Sequence, residues 1–443
     1  MGDSTAAPRG GLWRQRNFRL LWGGETVSGL GDAMAGVVVP LVAVAVLHAS
    51  ALGVSALTAA TYVPYLVFGL PAGAWVDRLP PRRVMVVCDL VQLVGFASVP
   101  LAASLGALSL AQLLAVNVVV GTASMVFDTA YSVYLTVLVA PEDLMEGNAK
   151  LSGTGSVNRV IGPGLGGLAA GALGPATSLL FQAGSFLASA GSLVAIGPVE
   201  LERPRGKTPT TIRQDIAEGL RAVFADRYLR PLAVWAALAN VGFAGYFGLI
   251  VVYLVRDLHL SAGAVGAILT AGGLGGVLGA TVARKLADRF GTARTLAVNC
   301  SVTSVCGLLI VAARPGATVA LAVIGVLALE GGLVLGSVIL AAFRQRYVEA
   351  GLLGRVSTSQ RVLTYGIAPP AALIAGALAD TIGPRLALTA MLAVEIAGTA
   401  ILFRRPFRGL RDLPRRTPHP PQATHEARNP AHAPRPVPTQ TRT

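Results

Sequence analysis

The sequence predicts an all-α polytopic membrane protein of twelve transmembrane helices in two pseudo-symmetric six-helix bundles. Three observations carry that prediction. Of 443 residues, 53% are hydrophobic and only 13% charged, against roughly 25% charged in a soluble domain. Residues 33–76, 90–127, 160–199, 231–255, 258–283 and 295–313 contain no Asp, Glu, Lys or Arg, and about 20 apolar residues suffice to cross ~30 Å of hydrocarbon. Finally, the basic residues gather on alternate loops. A soluble enzyme, a secreted disulfide scaffold and a disordered protein are all excluded.

Breaks at Gly, Pro and charged clusters place the spans near 18–46, 52–76, 84–104, 109–131, 151–172, 176–198, 229–255, 263–286, 295–313, 317–343, 357–380 and 386–403. With the N-terminus inside, 32 of the 36 Lys and Arg residues fall on the cytoplasmic side. Only Arg256, Arg314 and Arg385 fall outside, and Arg159 lies within a span. That bias sets an even span count with both termini cytoplasmic. The net charge of +14 then reflects anionic lipid headgroups and not nucleic acid. Cys88, Cys300 and Cys306 sit in apolar segments as packing residues, with no disulfide framework and no metal spacing. No cleavable signal peptide is visible.

Residues 1–17 form a cytoplasmic N-terminus, 18–199 one bundle, 200–228 a linker, 229–404 the second bundle, and 405–443 a basic, Pro-rich tail with a disordered composition. Histidines 419, 425 and 432 belong to that solvated tail. Within the linker, Ile212 to Phe224 has the pattern of an amphipathic helix on the membrane surface. The halves echo one another. Asp77-Arg78 and Arg83 recur as Asp288-Arg289 and Arg294 at an offset of 211, and Ile161-Gly162-Pro163 parallels Ile367-Ala368-Pro369 at an offset near 206. Parallel repeats of this kind are a transporter architecture with the substrate site between the halves.

Several motifs carry a more specific resemblance. They are Asn17-Phe18-Arg19-Leu20-Leu21-Trp22 with Gly31-Asp32, Gly73 with Asp77-Arg78 and Arg82-Arg83, Gly162-Pro163 with Gly166-Gly167, and Gly354-Arg355-Val356. Across residues 14–404 the chain resembles the major facilitator superfamily, in particular its bacterial efflux branch of siderophore and macrolide exporters. The resemblance implies that Asp77, Arg78, Arg82, Arg83, Asp288 and Arg289 gate the cytoplasmic side, the alternative being plain positive-inside anchoring. It also likens Gly162, Pro163, Gly166 and Gly167 to the fifth-span motif of proton antiporters, the alternative being a passive packing kink. Two departures stand out: Pro80-Pro81 replaces the usual Gly-Arg of the loop motif, and Asn117 stands where drug antiporters carry an Arg. Gly162 to Gly167 also fits a dinucleotide-binding pattern by letter, but its place inside an apolar span rules that out.

The ionisable residues within spans are Glu25, Asp32, Asp89, Arg159, Glu330 and Glu395. Each costs ~2.5–3.5 kcal/mol at a span centre, so packing alone gives no reason to keep them. Glu25 and Asp32, seven residues apart, share one helix face. Arg159 lies between them in depth and is expected to pair with one of them. Asp89 is expected to brace the loop arginines, and Glu395 to be structural. A carboxylate withdrawn from water favours its neutral form, which suits proton exchange, with Asp32 first and Glu330 second; binding of a cationic substrate is the competing use. Asn117, Asn240, Tyr246 and Phe247 are expected along the cavity wall.

The reading is a proton-coupled exporter of a hydrophobic or amphipathic small molecule, monomeric, without a cofactor and without enzymatic activity, in a bacterial inner membrane. Its partners are substrate, protons and the lipid bilayer. An uptake symporter on the same fold, a non-transporting membrane sensor and a membrane-embedded hydrolase are the rivals.

Overall fold

The computed structural model describes residues 11–67, 79–197 and 212–415. The first half comprises α1 (Arg16–Leu41), α2 (Ala51–Val67), α3 (Pro81–Ser104), α4 (Leu110–Leu138), α5 (Leu144–Leu173) and α6 (Pro175–Ala195). A linker helix, α7 (Ile212–Ala225), leads to α8 (Leu229–Arg256), α9 (Ala262–Phe290), α10 (Thr292–Ala312), α11 (Val319–Tyr347), α12 (Ala350–Ile382) and α13 (Pro384–Thr399). Apart from α7, these twelve helices occupy the expected positions. Among the described residues nine are long and apolar enough to cross a membrane. The other three are α2, described only as far as Val67, and α5 and α12, whose first turns are polar. Helices α4, α5 and α12 run about two turns further than the apolar pattern suggests, because a helix does not end where its residues become polar.

Every major pairing in the first half has a counterpart in the second. Helix α1 packs on α5 and α6, α3 on α4 and α6, and α2 on α4; likewise α8 packs on α12 and α13, α10 on α11 and α13, and α9 on α11. Two further pairings, α5 with α9 and α2 with α12, join the halves. Corners repeat as well. Gly174 (φ 85°) precedes Pro175, and Gly383 (φ 88°) precedes Pro384. Only glycine holds this backbone without strain, and Pro is preset for the first helical position. These corners put the fifth and eleventh spans at an offset of 209, so the Ile161/Ile367 echo at 206 lies three residues out of register. Pro81 likewise opens α3, with Pro80 extended before it; the departure from the family loop thus supplies an ordinary helix start.

Leu12, Leu413 and α7 lie at one end of the bundle, called proximal here; the opposite end is distal. A single apolar cluster at the distal end draws on both halves, including Val38, Leu41, Val54, Leu249, Val252 and Ala375. Proximally the halves have separate clusters, one around Leu12, Phe18, Met85 and Tyr134, the other around Trp235, Leu296, Phe343 and Phe407. Among the described residues the halves therefore share a core distally and have separate cores proximally.

Polar contacts reinforce the distal join. Asp380, near the end of α12, accepts from the backbone N–H groups of Ala51 (2.8 Å) and Leu52 (3.1 Å). It thus caps the free N-terminus of α2 from the other half, where a carboxylate also meets the positive end of the helix dipole. Arg256 donates to the Ala49 carbonyl beside it. Ser55 is fully buried and donates to the Gly248 carbonyl at 3.3 Å.

Two linker and tail expectations change. Helix α7 packs against α12 and α8: Gly219 allows close approach to the Arg355 carbonyl, and Glu218 pairs with Arg355 at 2.5 Å. Its apolar face is spent on the second bundle through Val223, which is fully buried. The tail does not leave the protein at residue 405. Phe407 and Leu413 are buried in the second proximal cluster, and Asp412 accepts from the Thr292 N–H at 2.9 Å, capping α10. Histidines 419, 425 and 432 lie outside the described residues.

Removing the cross-half cap should loosen the start of α2. Loss of such a cap costs ~1 kcal/mol, about fivefold in local opening. Amide hydrogen exchange across residues 49–55 is expected to accelerate by about that factor in Asp380→Ala and less in Asp380→Asn, which keeps an acceptor.

Candidate functional site

Helix α5 is the centre of the site because it touches both halves. Its residues at every fourth position face α1. Thr154 accepts from the Trp22 indole at 2.9 Å, Asn158 donates to the Thr26 carbonyl at 3.0 Å, and Gly162 and Gly166 lie against Ala33 and Met34. The adjacent ridge faces α9. A Cβ on Gly266 would come within 2.5 Å of the Pro163 carbonyl and 2.8 Å of the Gly167 Cα, and one on Gly273 within 2.6 Å of the Arg159 carbonyl. The paired spacing Gly162-Pro163, Gly166-Gly167 therefore presents two neighbouring small-residue ridges. One serves the bundle itself and the other serves the opposite half.

This geometry corrects the expected pairing of Arg159. Asn158 is the buried residue facing α1, and Arg159, turned about 100° onward along the helix, belongs to the α9-facing ridge. Its side chain is exposed and forms no ion pair with Asp32 or Glu25 among the described residues.

Asp32 lies on α1 and accepts from the Gln182 side-chain amide of α6 at 2.6 Å. Gly31 makes this possible: a Cβ there would meet the Gln182 Oε1 at 2.2 Å and push the amide away. Glu25, two turns earlier and half-buried, is within electrostatic reach of Asp32, Asp89 and Asp128. Asp89 is buried on α3 beside Ser189 of α6. Asp128, on α4, accepts from the Tyr65 hydroxyl of α2 at 3.4 Å. Four carboxylates thus gather within the first half, Asp89 buried, Glu25 half-buried and Asp32 and Asp128 exposed, and none forms an ion pair among the described residues. Asp128 and Gln182 escaped the sequence reading. Asp128 lies within the fourth span at the border of the charge-free run 90–127, and an amide partner has no sequence signal of its own.

The second half differs. Glu330 on α11 lies over Gly272 of α9, where a Cβ would come within 3.0 Å of its Cγ. Tyr246 is buried within reach of Glu330 and sits edge-on to Phe243 and Phe247, with ring centroids 5.7 and 5.3 Å away. A cavity of about 480 Å³ lies between α8, α10, α11, α12 and α13, with Trp235, Asn240, Phe243, Asn299 and Glu395 among its walls. Asn240 lines it, whereas Tyr246 and Phe247 are not among its walls. Asn117, in the first half, donates to the Leu113 carbonyl of its own helix.

The proximal charges lie apart from these groups. Asp77 and Arg78 are outside the described residues. Arg82 donates to the Leu193 (2.7 Å) and Val194 (2.6 Å) carbonyls, closing the C-terminus of α6 in its own half and not engaging Asp89. Arg83 is exposed, Asp288 lies 3.6 Å from Arg284, and Arg289 covers the Phe290 ring. Among the described residues, the contacts of Arg82, Asp288 and Arg289 stay within their own half.

Residues 21–372 match the family model described as Major Facilitator Superfamily. The chain belongs to that family. A curated relative, the multidrug efflux pump Tap of Mycolicibacterium fortuitum, is 28% identical over 378 residues, covering 80% of this chain and 88% of the relative. Among solved structures, a bacterial homologue of the iron transporter ferroportin in its inward-facing state has a TM-score of 0.71 at 17% identity, covering 88% of this chain and 98% of that one. The nucleoside transporter NupG has a TM-score of 0.74 at 10% identity, covering 87% and 98%. Family and fold point to a membrane transporter of small molecules and not to an enzyme.

The α5–α9 seam leaves no room for a side chain. Gly266→Leu should wedge the halves apart distally and abolish transport. Gly184→Leu, where nothing lies within 4 Å of an added Cβ, should transport as the parent does. Uptake or efflux assays on matched expression levels compare the two.

Proposed function

We propose that this protein is a proton-coupled efflux transporter for hydrophobic or amphipathic small molecules, working as a monomer in the bacterial inner membrane with both termini in the cytoplasm. The observation that carries this reading is the group of four carboxylates, Glu25, Asp32, Asp89 and Asp128, without an ion pair among the described residues, in a bundle whose halves share one apolar cluster at the distal end. Acidic groups within a membrane bundle that lack a basic partner exchange protons with any water that reaches them. Asp32, exposed on its helix yet held by Gln182, is the first group such water meets.

The distribution of Lys and Arg supports assigning the proximal end to the cytoplasm, so the arrangement described above corresponds to an inward-facing state. Substrate enters from the cytoplasm while the distal seams stay shut. Rocking of the halves about α5–α9 and α2–α12 then opens the distal end, where protons from outside reach the carboxylates and substrate leaves. In that second state the charges of Asp77, Arg78, Arg82 and Arg83, with Asp288 and Arg289, hold the proximal ends together. The kinship to a protein named as a multidrug efflux pump favours export over uptake. One proton moving through 100 mV supplies ~2.3 kcal/mol, enough for a modest substrate gradient per cycle.

Everted vesicles holding the protein are expected to accumulate ethidium when their interior is acidified and to release it on adding a protonophore. An uptake symporter would not accumulate it under that gradient, and a sensor would show no flux. Asp32→Asn should reduce accumulation at least tenfold. Accumulation at the parental rate in that variant would remove Asp32 from the mechanism.

A further inference from the structure

Glu395 is the one span carboxylate that borders the large cavity of the second half, and its environment does not suit a purely structural role. It is 9% exposed, on α13, and faces α8 and α10. Its Oε1 accepts from the Ser304 hydroxyl at 3.3 Å. Its Oε2 is buried and has no hydrogen-bond partner among the described residues. Gly242 of α8 leaves space beside it, since a Cβ there would lie 3.0 Å from the Glu395 Cβ and 3.6 Å from Oε2. A buried acceptor left unmade costs more than a hydrogen bond returns, so its persistence needs a partner supplied from elsewhere.

The cavity offers that partner a defined shape. Its walls combine aromatic rings (Trp235, Phe243, Phe343) with side-chain amides (Asn240, Asn299, Gln360), and its volume of about 480 Å³ falls in the range of sites for drug-sized ligands. Among the described residues Arg344 is the only basic side chain on its walls. It stands one turn from the proximal end of α11, whereas Glu395 is level with Gly242, the fourteenth residue of α8. By helical rise they differ in depth by about 15 Å, too far apart to form an ion pair. Arg344 therefore marks the mouth and leaves the carboxylate unneutralised.

We infer that this cavity is the substrate site and that Glu395 anchors a protonated or quaternary nitrogen of an amphipathic organic cation, with the aromatic walls holding its apolar body. Cations over aromatic faces and charge-assisted hydrogen bonds to a carboxylate supply the two parts of that recognition. The inference deepens the efflux reading by naming a substrate class and a site, and it is tested without a proton gradient, so its failure is distinct from a failure of coupling.

Ethidium and the neutral dye phenylnaphthylamine serve as probes, titrated by fluorescence into the purified full chain in nanodiscs. Glu395→Gln should weaken ethidium about tenfold, equivalent to ~1.4 kcal/mol, and leave phenylnaphthylamine binding unchanged; Glu395→Asp should recover part of the loss. On the unaltered protein, ethidium should protect Glu395 from a hydrophobic carbodiimide, read by mass spectrometry of its peptide, so a variant that fails to fold does not end the test. Unchanged ethidium affinity in Glu395→Gln, equal loss of both dyes, or undiminished carbodiimide labelling at saturating ethidium would each overturn the inference.

Discussion

Close approach of backbones at a few small residues is the constraint on which the rest of this structure depends. In lipid, helices gain little from hiding apolar surface from one another, because the tails are equally apolar; contact distance and hydrogen bonding decide which helices meet. Here α5 carries two such lines of contact side by side, and α12 carries the symmetric one. Under the 211-residue offset of the loop motif Ser55 corresponds to Gly266, and under the 209-residue offset of the Gly-Pro corners Gly167 corresponds to Gly376. Both pairs are in close contact: Gly167 against Gly266, and Gly376 against Ser55 and Leu52. The two seams joining the halves are therefore the same seam used twice, as a two-fold axis along the membrane normal requires.

Duplication of the seam does not make the two sides equal. At α2–α12 the distal join is strengthened by Asp380 capping α2 and by Arg256 on the Ala49 carbonyl. At α5–α9 the described contacts include close backbone approach, the Thr270 hydroxyl near Gly164 and the Leu168 side chain near Gly263. A polar latch that includes a charged acceptor on exposed ends breaks and re-forms more readily than a buried one, since water takes over its hydrogen bonds. The arrangement suits a joint that must open, with α2–α12 setting how long the closed state lasts and α5–α9 acting as the pivot.

Much of this was legible in the sequence, and what was not legible has a common cause. Charge-free stretches and the one-sided placement of Arg gave the helices and the two halves, because hydrocarbon penalises charge wherever it occurs. Rotation of a helix about its own axis is another matter. In a span that is apolar all round, periodicity does not say which face meets which neighbour, so Asn158 and Arg159 could not be told apart, and Arg159 was given to the wrong partner. Length was the second difficulty. Helix α4 continues to Leu138, past the fourth span as drawn at 131, and Asp128, directly after the charge-free run 90–127, reads as the border of that run and not as a group within the bundle. The Gly31-Asp32 pair was recognised, but its reason was not: the glycine admits Gln182 from a helix 150 residues away.

The two halves, alike in packing, differ in chemistry. The first places four carboxylates around α1, α3 and α4; the second places a cavity with aromatic and amide walls at the matching depth, with Glu395 at its back. Symmetry in the backbone is required by the rocking motion, since each half must present the same surface to the other in both states. Symmetry in the interior is not required, because each bundle's core moves as a rigid unit. On the reading proposed above, an interior free to diverge lets one half carry the proton and the other the molecule that is moved. The two sites are then coupled through the shared seams, because only a change in the contact between halves alters which side of the membrane either site faces.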